Sequence, residues 1–291
     1  MSREAAFIAA LRGIATHPAA RGLADDCAVL EIGGETLILT HDAMAEGVHF
    51  LPGQDAADVA WKLVASNLSD LAAKGAEPLG VLLGYQFGPD DARFLAGLEE
   101  VLVHFGVPLL GGDTISATGP QVLGLTALGR ATHRPVPARS GARPGDAIWI
   151  TGPVGAAMLG FEALRDATAA DSAAFRRPLA RLADGRALAP LVSAMMDVSD
   201  GLLLDASRMA RASGVSFAID SMAVPIAAPE ARRAEALRWG EDYQLLFTLP
   251  EGAEPPITAF QIGTASASAE APVVLDGLPL TEAKGLGYEH S

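Results

Sequence analysis

The side chains able to do chemistry in this chain are mainly carboxylates, and they stand where apolar runs meet glycine or small polar residues. Thr40–Phe50 (Thr-His-Asp-Ala-Met-Ala-Glu-Gly-Val-His-Phe) follows the apolar run ending at Leu39 and sets Asp42, Glu46, His41 and His49 around Gly47. Asp25-Asp26, Ser69-Asp70, Gly112-Asp113, Asp197-Val-Ser-Asp200-Gly201 and Gly240-Glu241-Asp242 repeat the theme. One such Asp is ordinarily a turn or cap residue, because Asp tolerates those backbone shapes. Several of them at the ends of apolar strands repel one another unless cations lie between. An oxygen-only ligand set is what Mg²⁺ selects.

Other metal and phosphate chemistries lack their residues. There is no Cys pair for zinc and no His-Glu-x-x-His. Counted from Asp197, the twelfth position of a calcium loop is Arg208, where Glu is needed. Neither a P-loop nor the protein-kinase motif set occurs. Gly111-Gly112-Asp113-Thr114 reads either as backbone N–H groups offered to phosphate, with Asp113 on a metal, or as a plain strand-end turn. His49 is a phosphate or hydroxyl contact, or a buried histidine with one hydrogen bond. Arg139 is a bidentate phosphate clamp or a solvated charge. His17, His104 and His133 have no acidic or glycine context and read as surface residues.

The elements that must carry these groups follow from periodicity. Residues 27–32 and 35–40, joined by Gly33-Gly34, form a hairpin that delivers Thr40. Asp58 caps a helix with Ala60, Leu63, Val64, Leu68 and Leu71 on one face, ending near Lys74-Gly75. A strand over 79–85, a helix over 89–105, a strand over 107–110 and one over 121–129 complete the first half. Residues 130–146, with their prolines, form a linker dividing the chain into domains 1–136 and 137–291. Beyond it strands at 147–151, 194–198, 216–220 and 243–249 alternate with helices at 156–164 and from 201 to about 212, and 169–185 is helical or mobile. The N-terminal 15 residues form an amphipathic surface helix with Phe7, Ile8, Leu11 and Ile14 at helical spacing.

The chain has 291 residues, half of them hydrophobic and few aromatic, which suits two packed α/β or α+β domains. A net charge of −14 argues against nucleic acid. It leaves room for a nucleotide bridged by divalent cations. Cys27 is the only cysteine, fits a reducing cytoplasm, and reads as a small apolar residue entering a strand. The longest uncharged runs contain Gly, Pro and Thr and fall short of the ~18 apolar residues of a membrane span.

Taken in order, Gly22-Leu-Ala-Asp-Asp-Cys-Ala-Val-Leu30, Asp42 through Glu46-Gly-Val-His-Phe50, Asn67-Leu-Ser-Asp-Leu-Ala-Ala73, Gly75-Ala-Glu-Pro78, Gly111-Gly-Asp-Thr114, Arg139-Ser-Gly-Ala-Arg-Pro-Gly-Asp146, Asp197-Val-Ser-Asp-Gly-Leu202, Gly240-Glu-Asp-Tyr243 and Gly287-Tyr-Glu-His290 resemble the thiamine-monophosphate kinase family of the aminoimidazole-ribonucleotide-synthetase-like superfamily. The resemblance spans nearly the whole chain. It implies an N-terminal α/β sheet domain that dimerises, a C-terminal α+β domain, and Mg²⁺-dependent transfer of the γ-phosphoryl group of ATP to thiamine monophosphate. By position it implies Asp26, Thr40, Asp42, Asp70, Asp113, Asp197 and Asp200 as Mg²⁺ ligands, with Asp42, Asp113 and Asp200 central to catalysis. His41, beside Asp42, joins the ligand set through its imidazole or its carbonyl. Gly112, Asp113, Arg139 and Ser199 would contact ATP, and His49 and Glu241 the substrate.

Four positions depart from the family pattern. Ala24 stands for a glycine, so the turn there must avoid positive φ or carry strain. His41 stands for Thr. Gly285 stands where an aromatic packs on the substrate ring. Lys74 stands for Met, a change expected to be tolerated at a helix end. Two other functions share the motifs: a synthetase of the same superfamily acting on another substrate, and an ATP-binding scaffold without turnover.

Overall fold

The computed structural model describes residues 3–267, 271–281 and 285–288. The first half runs α1 (Arg3–Arg12), a 3₁₀ segment (Pro18–Leu23), β1 (Ala28–Ile32), β2 (Glu35–Ala45), α2 (Ala56–Ala73), β3 (Ala76–Gln86), α3 (Asp91–Phe105), β4 (Leu109–Ile115) and β5 (Val122–Ala131). Its five-stranded sheet has the order β1-β2-β5-β3-β4, antiparallel except for the β3–β4 pair. The second half runs β6 (Ala147–Ile150), α4 (Ala156–Arg165), α5 (Ala173–Arg176), α6 (Leu182–Leu188), β7 (Ala194–Asp197), α7 (Leu202–Ser213), β8 (Val215–Ile219), α8 (Arg233–Ala236), β9 (Leu245–Leu249), β10 (Phe260–Ala267), β11 (Val273–Leu275) and β12 (Leu278–Leu280). Its seven-stranded sheet has the order β12-β11-β8-β10-β6-β9-β7.

Helix α2 is the element both halves share. Every residue of it except Ala56 and Asp70 is buried. It lies against α3, β2, β3 and β5 of its own half and against α5, α6 and β7 of the other. The alternation of the C-terminal strands explains how this is possible, since successive side chains point to opposite faces. Trp149, Met195, Leu245 and Phe247 face the α2 side and join one core with Leu63, Leu68 and Val81. Ile148, Ile150, Met196 and Leu246 face the other side and pack with Leu203, Met209 and Phe217. One apolar core therefore crosses the boundary between halves.

Several local expectations change. Asp55, not Asp58, caps α2, its Oδ1 accepting the Ala57 N–H at 2.9 Å. Asp58 lies inside, ion-paired to Arg176 and Arg177. Strand β2 runs on to Ala45, so Thr40–Ala45 is strand and not loop. Gly111-Gly112-Asp113-Thr114 is no turn either. It belongs to edge strand β4, paired with Leu82–Tyr85, and a Cβ on Gly112 would stand 2.0 Å from the Leu83 carbonyl oxygen. Ala24 keeps φ at −116°, and the left-handed backbone falls instead on Arg21, Gly22 and Leu23. On α1, Phe7 remains 65% exposed. The strands after Leu249 carry too few alternating apolar residues to have been expected.

Candidate active site

A cleft of about 880 Å³ lies between the halves. Asp25, Asp26, Asp42, Asp70, Asp197 and Asp200 line it together with Arg139, Ser199, His49, Glu241 and Tyr243. The period of a strand places Thr40 and Asp42 on the inward face of β2. The Asp42 N–H donates to Asn67 Oδ1 at 3.0 Å, which ties β2 to α2 one turn before Asp70. Thr40 Oγ1 donates to Asp70 Oδ2. Ser69 Oγ donates to Asp197 Oδ2 at 2.6 Å, bringing in the end of β7.

The carboxylates divide into two electrostatic classes. Asp26 is held near 2: burial pushes its carboxyl up, but Arg139 and Lys74 together override that. Arg139 Nη2 and Nε reach Asp26 Oδ1 at 2.5 and 2.7 Å, and Lys74 Nζ lies 2.6 Å from Oδ2. Lys74 also pairs with Asp25, which holds Arg21 as well. Asp200 pairs with Arg208, whereas among the described residues no ion pair does this for Asp42, Asp70 or Asp197. Burial pushes Asp42 to about 6, with Asp26 and Asp200 adding to the rise against His41 and Arg139. Burial and then Asp26 push Asp197 to about 8. Burial, Asp42 and Asp197 raise Asp70 well above its usual range. Groups placed this way are uncomfortable as anions without a cation.

Lys62 is buried under the Phe175 ring, its Nζ 3.6 Å from the ring centre. It donates to the His49 carbonyl at 2.7 Å and pairs with Glu241 at 2.6 Å. Glu241 has φ 66°, an uncommon backbone for a residue with a Cβ. That backbone is held by its own N–H on the Ser199 carbonyl at 2.8 Å and by the Lys62 pair. Phe161, Phe175, Trp239 and Tyr288 form an aromatic wall of the same cleft.

The structure thus brings together Asp26, Thr40, Asp42, Asp70, Asp197, Asp200, Arg139, Ser199, His49 and Glu241. It sets three others apart. His41 points to the opposite face of β2, where Nδ1 lies 2.9 Å from Thr126 Oγ1 and the ring packs beside Gly124. An odd position on a strand whose even positions face the cleft cannot turn its imidazole inward. Gly112 and Asp113 sit on β4, exposed, and do not line the cleft. Gly285 leaves open space where a side chain would stand. The tail nonetheless docks: the Tyr288 N–H donates to the Asp200 carbonyl at 2.9 Å, while Glu289 and His290 lie outside the described residues.

Sequence reading singled out the Asp25-Asp26 pair but missed Lys62, Asp205 and the part Lys74 plays in the site. Lys74, read as a tolerated helix-end change, stands at the C-cap of α2, where it is fully buried and grips two aspartates. Asp205 Oδ2 accepts the N–H groups of Ser199 and Asp200 at 3.1 and 3.0 Å and so shapes that loop. The donor set suits Mg²⁺. Asp26, Asp70 and Asp197 offer oxygens all within 4.8 Å of one another, with no nitrogen or sulfur ligand beside them. Cys27 is buried, and burial with Asp70 raises its thiol well above its ordinary range, which removes it as a nucleophile.

Comparison with known proteins agrees with this geometry. The family model for the N-terminal domain of AIR synthase related proteins matches residues 24–131, and that for their C-terminal domain matches residues 143–269. The thiamine-monophosphate kinase of Salmonella typhimurium is 37% identical over 306 residues, 92% of this chain and 91% of that protein. That of Escherichia coli strain K12 is 38% identical over 253 residues, 79% and 76% of the two chains. A solved structure described as AaThiL complexed with AMPPCP and TMP superposes with a TM-score of 0.86 at 28% identity, covering 97% of this chain and 96% of that one.

Proposed function

This chain belongs to the thiamine-monophosphate kinase family within the AIR synthase related proteins, and we propose that it transfers the γ-phosphoryl group of ATP to thiamine monophosphate, giving thiamine diphosphate. The observation that carries the reading is the cleft itself: Asp42, Asp70 and Asp197, which have no ion pair of their own among the described residues, line it together with His49, the Lys62-paired Glu241 and an aromatic wall. A thiamine ring against that wall would turn its phosphate toward the carboxylates. The site residues are those the resemblance implies, less the His41 side chain.

Both reactants are polyanions, and the attacking phosphate oxygen is already ionised, so the reaction asks for alignment and charge neutralisation more than for a general base. Asp26, Asp42, Asp70, Asp197 and Asp200 would hold Mg²⁺, which would supply that neutralisation. Arg139 adds a fixed positive charge at the ATP end. Ser199 and Asp200 are held by Asp205, so their backbone is set before ligands arrive. Glu241 and His49, tied through Lys62, orient the acceptor.

The two halves, 1–136 and 137–291, meet along this cleft. The chain acts as a homodimer in the cytoplasm, and its single buried cysteine suits a reducing compartment. Among the described residues no helix is long and apolar enough to cross a membrane. Edge strand β4 exposes Leu109, Leu110 and Ile115 beside Leu82 and Val122, an apolar surface suited to a second copy. Asp113 and Gly112 lie on that strand, and their part in the site is played from the dimer interface. The deciding assay combines purified protein, ATP, Mg²⁺ and thiamine monophosphate and detects thiamine diphosphate directly. No product would sink the reading, and a sedimentation measurement giving a monomer at micromolar concentration would remove the dimer.

A further inference from the structure

Lys74 ends the most buried helix of the molecule, and its ammonium has no access to water. It is surrounded by Asp25 and by Asp26 Oδ2 at 2.6 Å, with the Met195 carbonyl at 3.5 Å. The contact with Oδ2 has ion-pair distance without hydrogen-bond alignment, as for a charge filling a space and not a donor aimed along a lone pair. Asp26 Oδ1 is occupied by Arg139. Both oxygens of a carboxylate that belongs to the Asp26–Asp70–Asp197 group are therefore already against protein cations. Taking a lysine side chain fully out of water is costly, and it persists where partner charges compensate it. Its three surrounding groups come from the loop before β1 and from β7, so the charge sits where the two halves join.

We propose that Lys74 is a tethered cation of the active site, holding permanently a place beside Asp26 that a mobile divalent ion would otherwise occupy. The protein then loads its carboxylate group with one ion fewer than it would with an uncharged residue at position 74. The inference rests on the metal-dependent reading of the cleft. It also accounts for the division seen above: the Asp25-Asp26 side is compensated by Lys74, Arg139 and Arg21 before any ion arrives, and the ions are left for Asp42, Asp70 and Asp197.

The test counts ions. Wild type and Lys74→Met are titrated with Mn²⁺ in the presence of a non-hydrolysable ATP analogue, and bound ions are counted from loss of the free-ion paramagnetic signal. Lys74→Met is expected to bind about one ion more, as a vacated oxygen-lined position admits a divalent cation. Its unfolding midpoint in EDTA is expected to fall by roughly 5–10 °C and to recover with Mg²⁺ far more than that of the wild type. A residue that merely packs would change the midpoint without changing the count. If Lys74→Met does not fold, Asp25→Asn/Lys74→Met removes the charge together with one partner, and the same extra ion is expected. Equal counts in wild type and variant overturn the inference. Absence of any bound ion in both overturns the metal reading beneath it, whereas failure to phosphorylate thiamine monophosphate with the counts as expected touches only the choice of substrate.

Discussion

Two carboxylate groups share one cleft and are stabilised in opposite ways. Asp25 and Asp26 are surrounded by Lys74, Arg139 and Arg21, which hold the Asp26 carboxyl below its ordinary range. Asp42, Asp70 and Asp197, a few ångströms away, are pushed toward protonation because nothing permanent neutralises them. The first group is part of the fold; the second waits for ligands. The difference teaches that an acidic site need not be held together by metal throughout: fixed cations can anchor one side and leave the other adjustable.

Breaking the second group removes function. Asp42→Ala is expected to lower kcat by at least ~10³-fold, the several kcal/mol that metal-assisted charge stabilisation supplies, with far-ultraviolet circular dichroism unchanged. Unaltered steady-state kinetics would end its assignment. Breaking the first group removes stability instead. Asp26→Asn leaves buried Lys74 and Arg139 undercompensated and should cost about 3–5 kcal/mol in metal-free denaturant unfolding. Asp70→Asn, by contrast, relieves repulsion and should leave metal-free stability equal or higher; a loss as large as that of Asp26→Asn would erase the distinction.

Asp242 offers a third kind of carboxylate, stabilised by backbone alone. It accepts the N–H groups of Gly155 and Ala157 at 2.6 and 3.0 Å, yet burial outweighs these bonds and sets it near 6. A carboxyl raised from 3.8 to about 6 holds its proton in the folded state when the unfolded chain has lost it. Its contribution is therefore full below pH about 4 and is lost as pH rises through about 6, at most about 3 kcal/mol. Asp242→Asn should flatten the pH 4–6 dependence of unfolding relative to wild type, and an identical profile would show that Asp242 does not titrate there. The smallest effect belongs to Lys62, which compensates Glu241 as Lys74 compensates Asp26. Lys62→Met should raise KM for thiamine monophosphate about 10-fold while leaving ATP binding intact, since it loosens only the acceptor end. An equal change in both would place Lys62 among the general fold residues.

Much of this was legible from local pattern. The hairpin, the apolar stripe of α2 and the acid–glycine boundaries are short-range features, and they placed Asp26, Asp70, Asp197 and Asp200 near strand and helix ends, while Asp42 lies inside β2. What was not legible depends on packing between distant segments. Nothing local tells that Lys74, at a helix end, is buried, since the Met195 carbonyl beside its ammonium comes from β7, more than a hundred residues later. Asp58 was taken for a cap because nothing nearby announces Arg176 and Arg177. The glycines before Asp113 read as a turn, but they let β4 lie close along β3. His41 was judged by its neighbour Asp42, although strand alternation sends adjacent side chains to opposite faces.

Helix α2 carries a consequence for how the molecule comes apart. A helix buried by two sheets at once cannot be exposed on one side without losing contacts that the other sheet needs. The halves therefore melt in one cooperative step, and neither, expressed alone, would keep the helix as it stands here. The same coupling lets a substitution in the second sheet, far along the chain from Asp42, show itself as a change in protection of the amides around Asp70.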